Sequence, residues 1–80
     1  MSKVRKLRLD VYGRFRADVI RHNGTWTAYR LGDDGKRSLL RDLVIDADAD
    51  PEAVVAAFEA VYHELGGPER ELEVLSVVMG

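Results

Sequence analysis

Apolar and polar residues alternate along the first twenty residues, from Val4 to Tyr12 and again after Gly13. A period of two is typical of β-strands that bury one face, so the pattern predicts two strands separated near Gly13. The predicted buried face consists of Leu7, Leu9, Val11, Phe15, Ala17 and Val19. The opposite, open face is predicted to carry Lys6, Arg8, Asp10, Tyr12, Arg14, Arg16, Asp18 and Ile20.

Two turn signals follow these strands. Asn23-Gly24 predicts a tight hairpin, because both central residues of the favoured turn adopt positive φ. A third strand is predicted over residues 26–31, and the Gly-Asp-Asp-Gly stretch at 32–35 predicts a second turn. Residues 43–45, Leu-Val-Ile, are interpreted as a short fourth strand or an extended approach to a helix.

A helix is predicted over residues 51–65. Asp50 suits the N-cap, Pro51 the first helical position, and the Gly-Gly-Pro sequence at 66–68 is a typical stop. Apolar residues recur at steps of three and four, which predicts one buried helix face. That face consists of Val54, Phe58, Val61 and Leu65.

A last strand is predicted from about Arg70 to Met79, and it becomes apolar on both faces beyond Val74. Such a strand is either central in a sheet or covered by a partner, and we favour the central position beside the first strand. The order βββ(β)αβ predicts an α+β fold over a single domain, residues 1–80. In it, one helix packs on one face of a mostly antiparallel sheet of four or five strands.

Charge is sorted along the chain more strongly than the net charge of −2 suggests. Residues 1–41 carry eleven Lys or Arg against four Asp, whereas residues 42–80 carry ten acidic residues against Arg70. Such asymmetry points to a partner or to elements that face each other. If the first and last strands are neighbours, Lys6 and Arg8 are expected to pair with Glu71 and Glu73.

No pattern of catalytic or metal-binding residues is recognisable in the sequence. Cysteine is absent, which excludes disulfides and thiolate sites. The alternating acids of residues 46–50 resemble the start of a calcium loop. However, Pro51 stands where that loop requires glycine and Ala57 where it requires glutamate. We therefore expect no enzyme activity, no metal and no cofactor.

No run approaches the roughly 18 apolar residues of a membrane-spanning helix. A cytoplasmic protein with no membrane partner is expected. The open face predicts a non-catalytic protein-interaction module, which includes the case of a homodimer, with Arg8, Tyr12, Arg14 and Arg16 as its contacts. The alternative is a nucleic-acid-binding domain that uses the same residues together with Arg21, Lys36 and Arg37, with exposed aromatic rings such as Trp26 stacking on bases. The acidic pI of about 5.6 argues against this alternative.

Several segments, spread over nearly the whole chain, resemble a family of small stand-alone bacterial proteins of unknown function. They are Val-Tyr-Gly-Arg at 11–14, residues 26–32, Gly-Lys-Arg at 35–37, residues 43–45, and the stretches 62–64 and 68–70. The resemblance implies a bacterial single-domain protein and no particular activity. In topology the order is also similar to HicB-type antitoxin domains, whose sheet binds a toxin. A three-stranded sheet followed by a helix, with Gly-Thr-Trp at 24–26 and Asp-Gly-Lys-Arg at 34–37, also resembles the arm-binding domains of phage-type integrases, which read DNA with such a sheet.

Overall fold

The computed structural model describes residues 4–66 and 71–79 as one antiparallel sheet with one helix on one face. The sheet order is β4-β3-β2-β1-β5. The predicted α+β class and the antiparallel sheet are confirmed. The elements are β1 Val4–Val11, β2 Phe15–His22, β3 Thr25–Leu31, β4 Arg37–Leu39, α1 Pro51–Tyr62 and β5 Glu73–Met79. The described residues do not include Gly67 and Pro68, which are predicted to end the helix, or Arg70, which is predicted to begin the last strand.

Two tight turns set the registers of the first three strands. Asn23 and Gly24 have φ of 52° and 75°, so the predicted hairpin between β2 and β3 is confirmed. The turn between β1 and β2 begins at Tyr12, with φ of 55°, followed by Gly13 at 70°. The amide of Arg14 closes this turn on the Val11 carbonyl at 2.9 Å. Because the turn starts one residue earlier than the alternation suggests, Tyr12 leaves the strand pattern.

The helix begins as the sequence predicts. The Asp50 carboxylate caps it by accepting a hydrogen bond from the Ala53 amide at 2.8 Å, and Pro51 opens the first turn. The acid at position 50 therefore serves as a helix cap. Regular α-helix ends at Tyr62, and a single 3-10 turn, His63–Leu65, completes the predicted span. Among the residues described, no helix is long and apolar enough to cross a membrane.

The fourth strand lies earlier than predicted. Residues 37–39, directly after the turn at 32–35, pair with β3, whereas residues 43–45 are not in a strand. The turn returns the chain immediately alongside β3, so the first residues after the turn form the strand. From the loop that follows, Leu43 and Ile45 pack against the core, while Val44 is 87% exposed.

The core lies between α1 and the centre of the sheet. Phe58 and Val54 on α1 are fully buried against the sheet, where α1 lies over β1. Trp26 joins this core from β3, and its indole N–H donates to the Ala49 carbonyl at 3.0 Å. The buried apolar set is Val4, Leu7, Leu9, Val11, Tyr12, Ala17, Val19, Trp26, Ala28, Ala49, Val54 and Phe58.

The last strand is next to β1, as predicted, but it is not central. In the sheet described, β5 pairs with β1 alone and forms one edge. All seven of its residues are exposed. The expectation that its apolar run is core is therefore wrong: α1 lies over β1 and does not extend over β5.

Candidate functional site

The open face of the sheet is organised in rows that run across the strands. The middle row follows the registers from Leu39 through Tyr29, Asp18 and Arg8 to Ser76. Asp18, at the centre of the row, is only 2% exposed, although it lies on the face away from the helix. A buried carboxylate requires compensating partners, and this row supplies them.

Asp18 is held by two cations on β1. The Arg8 guanidinium donates through Nε to Oδ1 at 2.8 Å and through a terminal nitrogen to Oδ2 at 3.1 Å, and Lys6 Nζ lies 3.5 Å from Oδ2. The hydrogen bond from Arg8 lowers the pKa of Asp18 below its usual value, against the opposing effect of burial. The same contact raises the pKa of Arg8. Arg8 is thus a structural partner of Asp18, and only part of its guanidinium group is engaged in this contact.

The predicted pairing of Lys6 and Arg8 with the glutamates of the last strand is wrong. The register places Ser76 beside Arg8 and Val78 beside Lys6. Glu73 instead lies beside Asp10, because an extra residue in β5 shifts the register between Arg8 and the next β1 residue. Lys6 and Arg8 on β1 therefore pair with Asp18 on β2, and Glu73 at the start of β5 lies beside another acidic residue, Asp10.

A second row of residues is the last row of the open face, at the end of the sheet that carries the β1–β2 turn. It runs from Arg37 through Leu31, Arg16 and Asp10 to Glu73. Next to it, the turns at 12–14 and 32–35 border a concavity of about 920 Å³, which we call the arginine basin. Its lining consists of Arg8, Asp10, Gly13, Arg14, Phe15, Arg16, Arg30, Leu31, Gly32, Asp33 and Gly35.

The arginine basin brings together three of the four predicted contact residues. Arg14 and Arg16 are exposed, and their guanidinium groups make no hydrogen bond or ion pair with any residue that the structure describes. Arg30, which the sequence analysis did not select, joins them from β3, with its guanidinium carbon 4.8 Å from the centre of the Phe15 ring. No local signal identifies Arg30, since only the strand registers bring it to this end.

Tyr12, the fourth predicted contact, is placed differently. It is 8% exposed and belongs to the core, because its positive φ takes the ring out of the strand alternation. Beyond the helix, the Tyr12 ring packs closely against Gly66. A Cβ atom built on this glycine would lie only 3.1 Å from the ring. The placement of Tyr12 on the open face is therefore wrong.

The further cations of the nucleic-acid alternative already have partners within the chain. Arg21 donates to the Ala47 carbonyl and lies over the Trp26 ring, which is itself buried and not available to stack on bases. Arg37 lies 4.9 Å from the centre of the Tyr29 ring, and Lys36 Nζ is 4.0 Å from the Asp34 carboxylate. Among the cations of the two predicted sets, Arg14 and Arg16 are thus the ones whose side chains make no hydrogen bond, ion pair or ring contact with the described residues.

A different kind of surface is formed by β5, which we call the apolar edge. Its large side chains are substantially exposed on both faces of the sheet, at values from 37% for Val78 to 61% for Met79. The exposed apolar residues are Val74, Leu75, Val77, Val78 and Met79. The apolar run is visible in the sequence, but it predicts a buried central strand equally well and therefore does not mark these residues as contacts.

A groove of about 260 Å³ runs between the apolar edge and the helix. Val74 forms one wall, and Pro51, Val55 and Ala56 of α1 form the other, with two glutamates, Glu52 and Glu59, also lining it. The groove exists because α1 lies over β1 and leaves the neighbouring strand uncovered. It continues the exposed apolar surface of β5 toward the helix.

The chain matches a known protein family over most of its length. The family model described as Domain of unknown function (DUF7661) matches residues 6–77. No curated protein and no solved structure matches the chain.

Proposed function

We propose that this chain, which belongs to the DUF7661 family, is a non-catalytic protein-interaction module that associates with a second copy of itself through β5. The observation that carries the proposal is the apolar edge, where a terminal strand exposes five large apolar side chains. Contiguous exposed apolar surface of this kind is typical of protein-binding sites.

The edge is open to the addition of another strand. Natural edge strands are usually protected by lysine, proline or inward-pointing charge, because their unpaired backbone groups recruit other strands. Between Glu73 and Met79 there is no lysine, arginine or proline, and Glu73, the first residue, carries the only charge. The register with β1 shifts at Leu75 and again between Val78 and Met79, so the stretch 76–78 pairs with β1 without a shift. Strand addition along this stretch satisfies the backbone groups of both partners.

A second copy in antiparallel orientation fits the edge. A two-fold axis at Val77 places this residue opposite its own copy and places Leu75 opposite Met79, so that apolar residues meet across the seam. The two Glu73 side chains then lie at opposite ends of the seam, about 26 Å apart at the rise of an extended strand. A parallel arrangement would place these like charges side by side, which is unfavourable.

The expected affinity is moderate. Each apolar side chain of β5 is about half exposed, and covering that half contributes roughly 1 kcal/mol. Ten such side chains per dimer contribute about 10 kcal/mol, which is similar to the roughly 4–15 kcal/mol lost on association. Backbone hydrogen bonds across the seam add to this, so the dimer fraction is expected to depend on protein concentration.

Replacing Val77 by lysine is expected to abolish self-association without unfolding the protein. The side chain is 47% exposed at the sheet edge, so the charge is tolerated in the monomer but would be buried in the dimer. Sedimentation velocity over a dilution series measures the change: the wild type is expected to shift toward dimer as concentration rises, and Val77→Lys to remain monomeric.

Val44→Lys is the matched control. It introduces the same charge at another exposed valine, in the loop before α1 and away from β5, and it is expected to associate like the wild type. Circular dichroism verifies that both variants are folded. A wild type that stays monomeric at millimolar concentration, or a Val44→Lys variant as monomeric as Val77→Lys, would refute self-association through β5.

A further inference from the structure

We infer that the arginine basin binds a small phosphate-bearing anion. This site is separate from the apolar edge, and its occupation does not depend on a second copy of the chain. Guanidinium groups favour phosphate because their planar arrays of N–H donors match its oxygens in pairs. The inference rests on the arrangement of charge in the basin, on its size and on the acids that accompany the arginines.

The charge of the basin matches that of a phosphate dianion. Four arginines and two aspartates line it, which leaves a formal charge of +2. A phosphate monoester carries about −1.5 to −2 near neutral pH. Arg14 and Arg16 supply guanidiniums without partners among the described residues, while Arg8 and Arg30 are held in place by Asp18 and the Phe15 ring. Cations from both faces of the sheet thus border one concavity at its end, with Arg8 and Arg16 on the open face and Arg30 on the helix face, where it pairs with Ala17.

The same charges favour a small ligand over a nucleic-acid chain. Asp10 lies within the basin, and its neighbour Glu73 continues the row to the sheet edge. Asp33 faces the basin from the turn between β3 and β4. A strand of phosphates leaving the basin in these directions would meet carboxylates. The volume of about 920 Å³ falls within the range of small-molecule sites.

The test is a titration of isotopically labelled protein with inorganic phosphate at pH 7.5, followed by amide chemical shifts. Acetate at the same ionic strength serves as the anion control, since salt alone weakens exposed electrostatic contacts. With phosphate, saturable shifts are expected that are confined to the basin lining, which is Arg8, Asp10 and residues 13–16 and 30–35. Unsaturated shifts up to about 10 mM phosphate, a concentration that detects even weak binding, would overturn the inference.

Variants separate a specific site from the general field of the protein. Arg14→Gln with Arg16→Gln is expected to weaken phosphate binding about tenfold or more, because charge-assisted hydrogen bonds are lost. The control double variant, Arg5→Gln with Arg41→Gln, removes the same charge from exposed residues outside the basin lining and is expected to change binding less than about twofold. Equal weakening by the two double variants would overturn the inference.

Asp33→Asn provides a change in the opposite direction. Removing this exposed acid from the basin lining is expected to tighten phosphate binding about two- to threefold through reduced repulsion. A residue with only a structural role would not produce such a gain. A parallel titration uses a single-stranded oligonucleotide. An extended nucleic-acid face would be supported instead if the oligonucleotide binds far more tightly than phosphate and also shifts the amide signals of the row farther from the basin, which is Thr27, Ile20 and Lys6.

Discussion

Replacing Phe58 by alanine is expected to lower the free energy of unfolding by about 4 kcal/mol, the cost typical of emptying a buried aromatic site. Phe58 is fully buried on α1, and its ring centre lies 6.0 Å from that of Tyr62. Because a chain of 80 residues typically has a total stability of about 4–12 kcal/mol, the variant is expected to keep about 0–8 kcal/mol and to unfold at a much lower urea concentration than the wild type. Urea denaturation followed by circular dichroism measures the loss.

Val61→Ala on the same helix is the control for this substitution. Val61 is 39% exposed, so its truncation removes less buried surface and is expected to cost about 1 kcal/mol or less. Since both changes keep helix propensity high, a difference between them reports on packing against the sheet. If Phe58→Ala unfolds at nearly the urea concentration of the wild type, the helix does not hold the core as described.

Replacing Asp18 by asparagine is expected to cost about 2 kcal/mol at pH 7, the scale of a lost hydrogen bond to a charged partner. Asparagine keeps the shape of the side chain but offers one acceptor oxygen where Arg8 now contacts two. Lys6 also loses the negative charge that it faces. Thermal unfolding at neutral pH compares the variant with the wild type and with Asp48→Asn, a matched change at an exposed acid.

The same residue gives a pH dependence of known sign. The pKa of Asp18 is lowered in the folded protein by the hydrogen bond from Arg8, relative to the usual value of 3.8. Its contribution to stability is therefore fully present above about pH 5 and is lost as the pH falls through the folded pKa. The wild type is expected to lose more stability between pH 5 and pH 2 than Asp18→Asn does. Equal losses in the two proteins would show that Asp18 is not the group responsible.

The helix and the second hairpin could be predicted because their signals are local. Asp50 and Pro51 mark the helix start within two residues, and Asn23-Gly24 specifies its turn without reference to the rest of the chain. The position of β5 could not be predicted, since an apolar strand has the same sequence at the centre of a sheet as at an exposed edge. Only the placement of α1 over β1 decides that β5 stays uncovered.

The candidate contact residues were predicted only in part, because local patterns indicate some of them and the pairing of distant strands decides the others. Arg14 and Arg16 follow from the alternation of β2, whose phase holds from Phe15 onward. Tyr12 was misplaced because the turn begins at this residue, and a positive φ interrupts the period of two. Arg30 reaches the arginine basin only through the pairing of β3 with β2, which no local pattern of its own strand indicates.

The indole of Trp26 makes the approach to the helix observable in solution. Trp26 is the single tryptophan, and it binds the carbonyl of Ala49 directly before the helix cap while Arg21 holds Ala47. Its fluorescence emission therefore reports on whether the segment before α1 is docked, without any label. Because two strands separate β5 from β3, dissociation of a dimer at that edge should leave the emission wavelength unchanged, whereas release of the helix should shift it to the red. A single optical signal thus separates loss of the partner from loss of the fold.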